Sequence, residues 1–146
     1  MTDGEDLLRA IVATPEDDAP RLVYADWLDE HGVPDWAEFI RVQVELAATP
    51  GTGWRVMELT QRELVLIQTK AGRFMANTTA WVTEPVFRRG FLEEARVYAD
   101  VMDEHGADLL RRHPLLHRVI LVWASRRDRA RLRTRFGDRV RIEKSR

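Results

Sequence analysis

Apolar positions along this chain follow two rhythms. Up to about residue 70 they return every three or four residues, as on amphipathic helices; from residue 84 short apolar runs alternate with helical stretches. Thr2 and Glu5 have capping-box spacing, and Leu7, Leu8, Ile11 and Val12 form a first stripe that Thr14-Pro15 closes. Asp17, Asp18 and Pro20 suit the opening of a second helix, where Val23 stacks with Trp27 and Tyr24 with Leu28. His31 and Gly32 suit its end, and Val33-Pro34-Asp35 restarts the chain. In the third helix Trp36, Phe39, Ile40, Gln43, Leu46 and Ala47 share a face. So short a connection predicts antiparallel neighbours, with Trp27 and Trp36 at the corner. After the loop at Pro50, Gly51 and Gly53, a fourth helix is expected to run to about Lys70. Its expected core residues are Val56, Leu59, Leu64, Ile67 and Phe74.

From Ala71 to Thr83 the periodicity fades; Asn77-Thr78-Thr79 favours a turn, and Trp81 with Val82 fills a gap. Val86-Phe87 and Phe91-Leu92 flank Arg88-Arg89-Gly90, which reads as extended chain around a glycine bulge or turn. Leu92 to Val97 reads as a strand and Ala99 to Arg112 as a helix, with Gly106 unfavourable in its middle. Val119 to Trp123 is a continuous apolar run, expected to be a strand buried on both faces with Trp123 in the core. A basic helix over Asp128 to Phe136 and a last strand over Val140 to Ile142 complete the pattern. The expectation is one α/β domain over residues 1–146. A helical part, 1–76, packs on and caps 84–146, a small mostly parallel three-stranded sheet with crossover helices.

Composition narrows the class. The chain has 146 residues, 45% hydrophobic and 32% charged, as in an ordinary globular protein. No apolar run is long enough to span a bilayer, and the acidic N-terminus is unlike a signal peptide, so no membrane role and a cytoplasmic location are expected. With no cysteine there is no disulfide, thiolate nucleophile or cysteine-bound zinc. The net charge of −1 hides a polarity: residues 1–110 carry −11 and residues 111–146 carry +10. A basic tail of that density suits an anionic partner, the acidic front of its own chain, or a second copy.

Residues 5–47 carry a specific resemblance. Leu7-Leu8-Arg9-Ala10-Ile11, Asp17-Asp18-Ala19-Pro20-Arg21, Tyr24-Ala25-Asp26-Trp27-Leu28, Gly32, and Ala37-Glu38-Phe39-Ile40-Arg41 with Gln43 resemble the bacterial repeat-companion domain. Arg88-Arg89-Gly90-Phe91 and His113-Pro114-Leu115 extend the likeness more loosely. That family lies ahead of repeat arrays, often leucine-rich-like ones, so the resemblance implies a binding or adaptor role and brings no catalytic residues. The strand-helix alternation after residue 84 likewise resembles one or two turns of a leucine-rich-like solenoid.

Candidate chemistry is sparse. Tyr24-Ala25-Asp26-Trp27-Leu28-Asp29-Glu30-His31-Gly32 echoes in Tyr98-Ala99-Asp100-Val101-Met102-Asp103-Glu104-His105-Gly106, which raises a metal or acid-base site. Adjacent side chains point different ways around a helix, however, so helix-end chemistry used twice is the stronger reading. His113 and His117 have helical metal spacing, but Pro114 intervenes and no glutamate accompanies them. No serine lies in a nucleophile elbow, and Gly51-Thr52-Gly53 lacks the lysine of a phosphate loop. The expectation is therefore a non-enzymatic protein-interaction module without cofactor or metal, its partner another protein or a second copy. The alternative is nucleic-acid association through Arg126, Arg127, Arg129, Arg131, Arg133 and Arg135, which spread around a helix. Of five tryptophans, Trp54 beside its glycine loop is the expected partner contact.

Overall fold

The computed structural model describes residues 3–69 and 80–145, a mixed α/β chain. The expectations for Thr2, Lys70, Phe74 and Asn77 to Thr79 lie outside these residues. Among the described residues there are six helices: α1 (Asp3–Ala13), α2 (Ala19–Glu30), α3 (Pro34–Ala48), α4 (Trp54–Thr69), α5 (Ala99–Arg112) and α6 (Arg126–Phe136). Four strands form one sheet in the order β1 (Thr83–Arg88), β2 (Phe91–Tyr98), β3 (Arg118–Val122), β4 (Arg141–Lys144). No described helix is long and apolar enough to cross a membrane. The chain divides into two compact units. One holds α1 to α4 with the turn Arg88–Gly90; the other holds the rest of the sheet with α5 and α6.

In the helical unit, the side chain of Asp17 accepts the Ala19 amide at 2.9 Å, and Pro20 occupies the first turn of α2. The helix ends in a Schellman-type closure: Gly32 takes φ +78°, Val33 N–H reaches Leu28 O at 2.9 Å and Gly32 N–H reaches Asp29 O at 3.4 Å. Tyr24 stacks on Trp27 and meets Trp36 edge-on at 5.4 Å, so both tryptophans do gather at the corner. Gly4 of α1 leaves room for the Trp27 ring, which an added Cβ would approach to 2.7 Å. Burial lifts the Tyr24 hydroxyl to a pKa of about 12.

The expected inner faces need correction at several positions. Val12, Val23 and Ala47 face outward. In α4 the residues turned inward are Leu59 and Leu66 with half-buried Val56 and Glu63; Leu64 and Ile67 are exposed. Bidentate Arg55–Glu45 and Arg62–Glu38 pairs flank the α3–α4 contact, and Gln43 donates to Glu63 at 2.7 Å.

The sheet has four strands, not three. A two-residue connection between β1 and β2 makes that pair antiparallel. The sequence pattern reads Val86-Phe87 as extended chain but not as a strand of the sheet, because β1, with Pro85 in it, is largely exposed and lacks a buried face to impose alternation. The other pairs are parallel, with Glu94 opposite Arg118 and Arg118 opposite Arg141, steps of 24 and 23 residues. The pairing extends one residue ahead of β3: His117 N–H bonds Glu93 O at 3.0 Å and Arg141 N–H bonds His117 O at 2.8 Å.

Only one face of β3 is buried: Val119 and Leu121 point into the core, whereas Arg118, Ile120 and Val122 are half-exposed. That core joins Ala95, Val97 and Ile142 to Met102, Leu109, Leu132 and Phe136. On the open face Arg118 bridges Glu94 and Glu143, both at 2.8 Å. Gly106 leaves room inside α5 for the Phe136 ring, which an added Cβ would approach to 2.9 Å.

Candidate interaction surfaces

Several residues that carry the family resemblance make packing contacts with a turn. Arg21 is fully buried and donates to the backbone oxygens of Pro15 (2.7 Å), Arg89 (3.3 Å) and Arg88 (3.4 Å). Trp36 Nε1 donates to Gly90 O at 2.9 Å, and Gln43 Oε1 accepts the Gly90 amide at 2.7 Å. Arg89 reaches Glu16 at 3.0 Å and Asp18 at 3.2 Å. Gly90 has φ +89°, and an added Cβ would lie 2.2 Å from Ile40 Cγ1 and 2.7 Å from Ile40 Cα. The motif thus builds a receptor for the Arg88–Gly90 turn. Arg41 in turn binds Asp26 and Asp29, both at 2.7 Å.

The two copies of the echoed string take different structures. The first ends α2: His31 stacks on Trp27 at 4.0 Å and its Nδ1 lies 2.7 Å from Trp27 O. The second starts at the last residue of β2, and its His105 lies inside α5, stacked on Trp81 at 4.7 Å. Among the described residues no three histidines or carboxylates gather to hold a metal. His113 and His117 lie in the loop between α5 and β3. Burial, aided by the charge of Arg112, pushes His113 down to a pKa of about 4.

A surface of a different kind lies at the C-terminal ends of β2 and β3. Trp123, expected in the core, is 90% exposed. It follows β3 with φ +50°, a left-handed conformation that costs a bulky residue about 1–2 kcal/mol. The reason is the start of α6. Ser125 accepts the Asp128 amide at 3.1 Å while Asp128 accepts the Ser125 amide at 2.9 Å. This capping box opens the helix at Arg126, two residues earlier than expected. Only Trp123 to Ser125 remain to connect strand and helix, too few to carry the indole back to the core.

Tyr98, at the end of β2, meets the Trp123 ring edge-on at 5.7 Å. The two rings, Asp100, Asp103, Asp128 and Arg131 line a shallow groove of about 440 Å³. Arg131 bridges Asp103 (2.5 Å) and Asp128 (2.9 Å); the hydrogen bonds from Ser125, then that from Arg131, hold the Asp128 carboxyl below the usual range. The groove offers aromatic faces and a rim of fixed charge. It places no nucleophile beside a base among its described lining residues.

The arginines of α6 do not act as a set. Arg129 donates to Ala124 O, Arg133 to Ile142 O and Arg135 to Asp103 O, so these and Arg131 brace their own unit. Arg126 and Arg127 make no ion pair with a described residue. Trp54 is 80% exposed at the start of α4, in the helical unit. The sequence reading had missed Tyr98 and misplaced Trp123; the Ser125-x-x-Asp128 spacing was the signal available for the latter. No family model, curated protein or solved structure matches the chain.

Proposed function

We propose that this chain is a bacterial repeat-companion-type adaptor: a cytoplasmic, non-enzymatic module that recognises a protein partner through the Tyr98–Trp123 groove. The observation that carries the reading is Trp123, almost wholly exposed and held there by a strained backbone. Tryptophan is a frequent interface anchor, and strained backbone of this kind clusters at binding sites. The repeat association has its own support. Parallel strands stepping by 24 and 23 residues fall in the 20–29-residue range of leucine-rich repeats. The motif residues of α2 and α3 hold a turn, which suits a scaffold more than an active site.

A second reading rests on one observation: Arg126 and Arg127, without ion pairs to described residues, follow Trp123 closely, an arrangement that can grip phosphates while a base stacks on the indole. Affinity capture with and without nuclease, at low and raised salt, separates the two. The adaptor reading expects partners that survive nuclease and are lost with W123A. Loss of every partner on nuclease treatment, with steep salt dependence, refutes it in favour of nucleic acid.

A further inference from the structure

Helix α4 carries two hydrophobic seams back to back. Val56, Leu59, Glu63 and Leu66 follow a three-four spacing on the buried side. Trp54, Met57, Gln61, Leu64 and Gln68 follow the same spacing about 160° around the helix. The second set is exposed: Trp54 at 80%, Met57 at 60% and Leu64 at 50%, with both glutamines also at the surface. A single-layer amphipathic helix has one such stripe; a second marks a contact not yet made. Trp54, Met57, Gln61 and Leu64 frame a hollow of about 510 Å³, a hole of the kind a knob from a facing helix fills.

We propose that this outer seam is a self-association surface, on which α4 of a second copy packs antiparallel about a twofold axis. The seam is complementary to itself. An antiparallel register places Trp54 opposite the mate's Leu64 and Met57 opposite its Gln61, and the twofold repeats both layers. The large indole thereby meets a mid-sized aliphatic group rather than another indole, and the helix dipoles oppose. No charge lies in the seam. The charged neighbours Arg55, Glu58 and Arg62 are engaged within their own unit and demand no ionic counterpart. The exposed parts of these side chains would cover on the order of 1,000 Å² over both copies, the lower end for a specific interface. The dimer is therefore reversible and concentration-dependent. It does not use the charge polarity of the chain.

Sedimentation equilibrium of the whole chain tests this, with far-UV circular dichroism as the fold control. The wild type should dimerise reversibly; W54E and L64E should each weaken the dimer roughly thirty-fold or more, while V12E at another exposed apolar position leaves it unchanged. Because the chain has no cysteine, M57C and Q61C proteins mixed in equal amounts give a clean report of orientation. In the antiparallel register Met57 faces the mate's Gln61, so oxidation should cross-link mixed dimers of the two variants, whereas a parallel pair would cross-link each variant to itself. A wild type that stays monomeric at high concentration, or a dimer indifferent to W54E and L64E, overturns the proposal. A dimer in which M57C and Q61C fail to cross-link to each other overturns its antiparallel arrangement.

Discussion

Replacing Gly90 with alanine should damage the helical unit more than the same change at any other left-handed glycine. Two costs separate cleanly because Gly51 shares the first without the second. Gly51 has φ +84° and open space around it, so G51A carries only the left-handed penalty, about 1–2 kcal/mol. At Gly90 the new methyl would lie 2.7 Å from Ile40 Cα as well as 2.2 Å from its Cγ1. A side chain can rotate away, but a helix backbone cannot. The turn must retreat instead, stretching the Trp36 to Gly90 O bond at 2.9 Å and the Gly90 N–H to Gln43 bond at 2.7 Å. Overpacking of about 1–3 kcal/mol and roughly 1 kcal/mol for each weakened bond bring G90A to about 4 kcal/mol or more. Urea unfolding followed by tryptophan fluorescence and far-UV circular dichroism measures both variants. I40A should not rescue G90A, because the Cα clash remains. A G90A unfolding free energy within about 1 kcal/mol of that of G51A would refute the receptor account of the motif.

Three further outcomes follow from the strand unit. G106A should destabilise by about 1–2 kcal/mol through contact with Phe136, yet stabilise by up to about 1 kcal/mol on an F136L background where helix propensity prevails; denaturant titrations of the four proteins check the coupling. His113, lowered to about 4 from 6.5, stays neutral in the fold while the unfolded chain takes up a proton below 6.5. Stability should thus fall between pH 6.5 and 4, by at most about 3 kcal/mol from this group. Comparing wild type with H113N at pH 7 and 4.5 isolates it; equal slopes would count against the assignment. S125A should cost about 1 kcal/mol and fray the start of α6, read as faster hydrogen exchange over Arg126 to Arg129.

The sequence revealed most where local chemistry and packing agree. The α2–α3 hairpin was legible because its punctuation is strong: Pro20, Gly32 and Pro34 admit few alternatives, and Tyr24, Leu28, Phe39 and Ile40 lie where helical periodicity puts them. The strand-helix alternation was legible for the same reason. Helix α4 was misread because periodicity reports apolar faces without saying which one is buried. With two seams present, Leu64 and Ile67 look as internal as Leu59. Trp123 was misplaced because an apolar run does not show where its strand stops; the capping box two residues on decides that. Gly106 looked like a liability until the Phe136 ring, thirty positions later, explained it. The receptor for Arg88–Gly90 depends on contacts across more than forty residues, which no local pattern encodes.

The most direct test of the adaptor account is site-specific photo-cross-linking in the native host, with a photoreactive amino acid at position 123 and a control at exposed position 12. The account predicts discrete protein adducts from position 123 that resist nuclease and are absent from position 12. No adduct at position 123, or the same adducts from both positions, would contradict it.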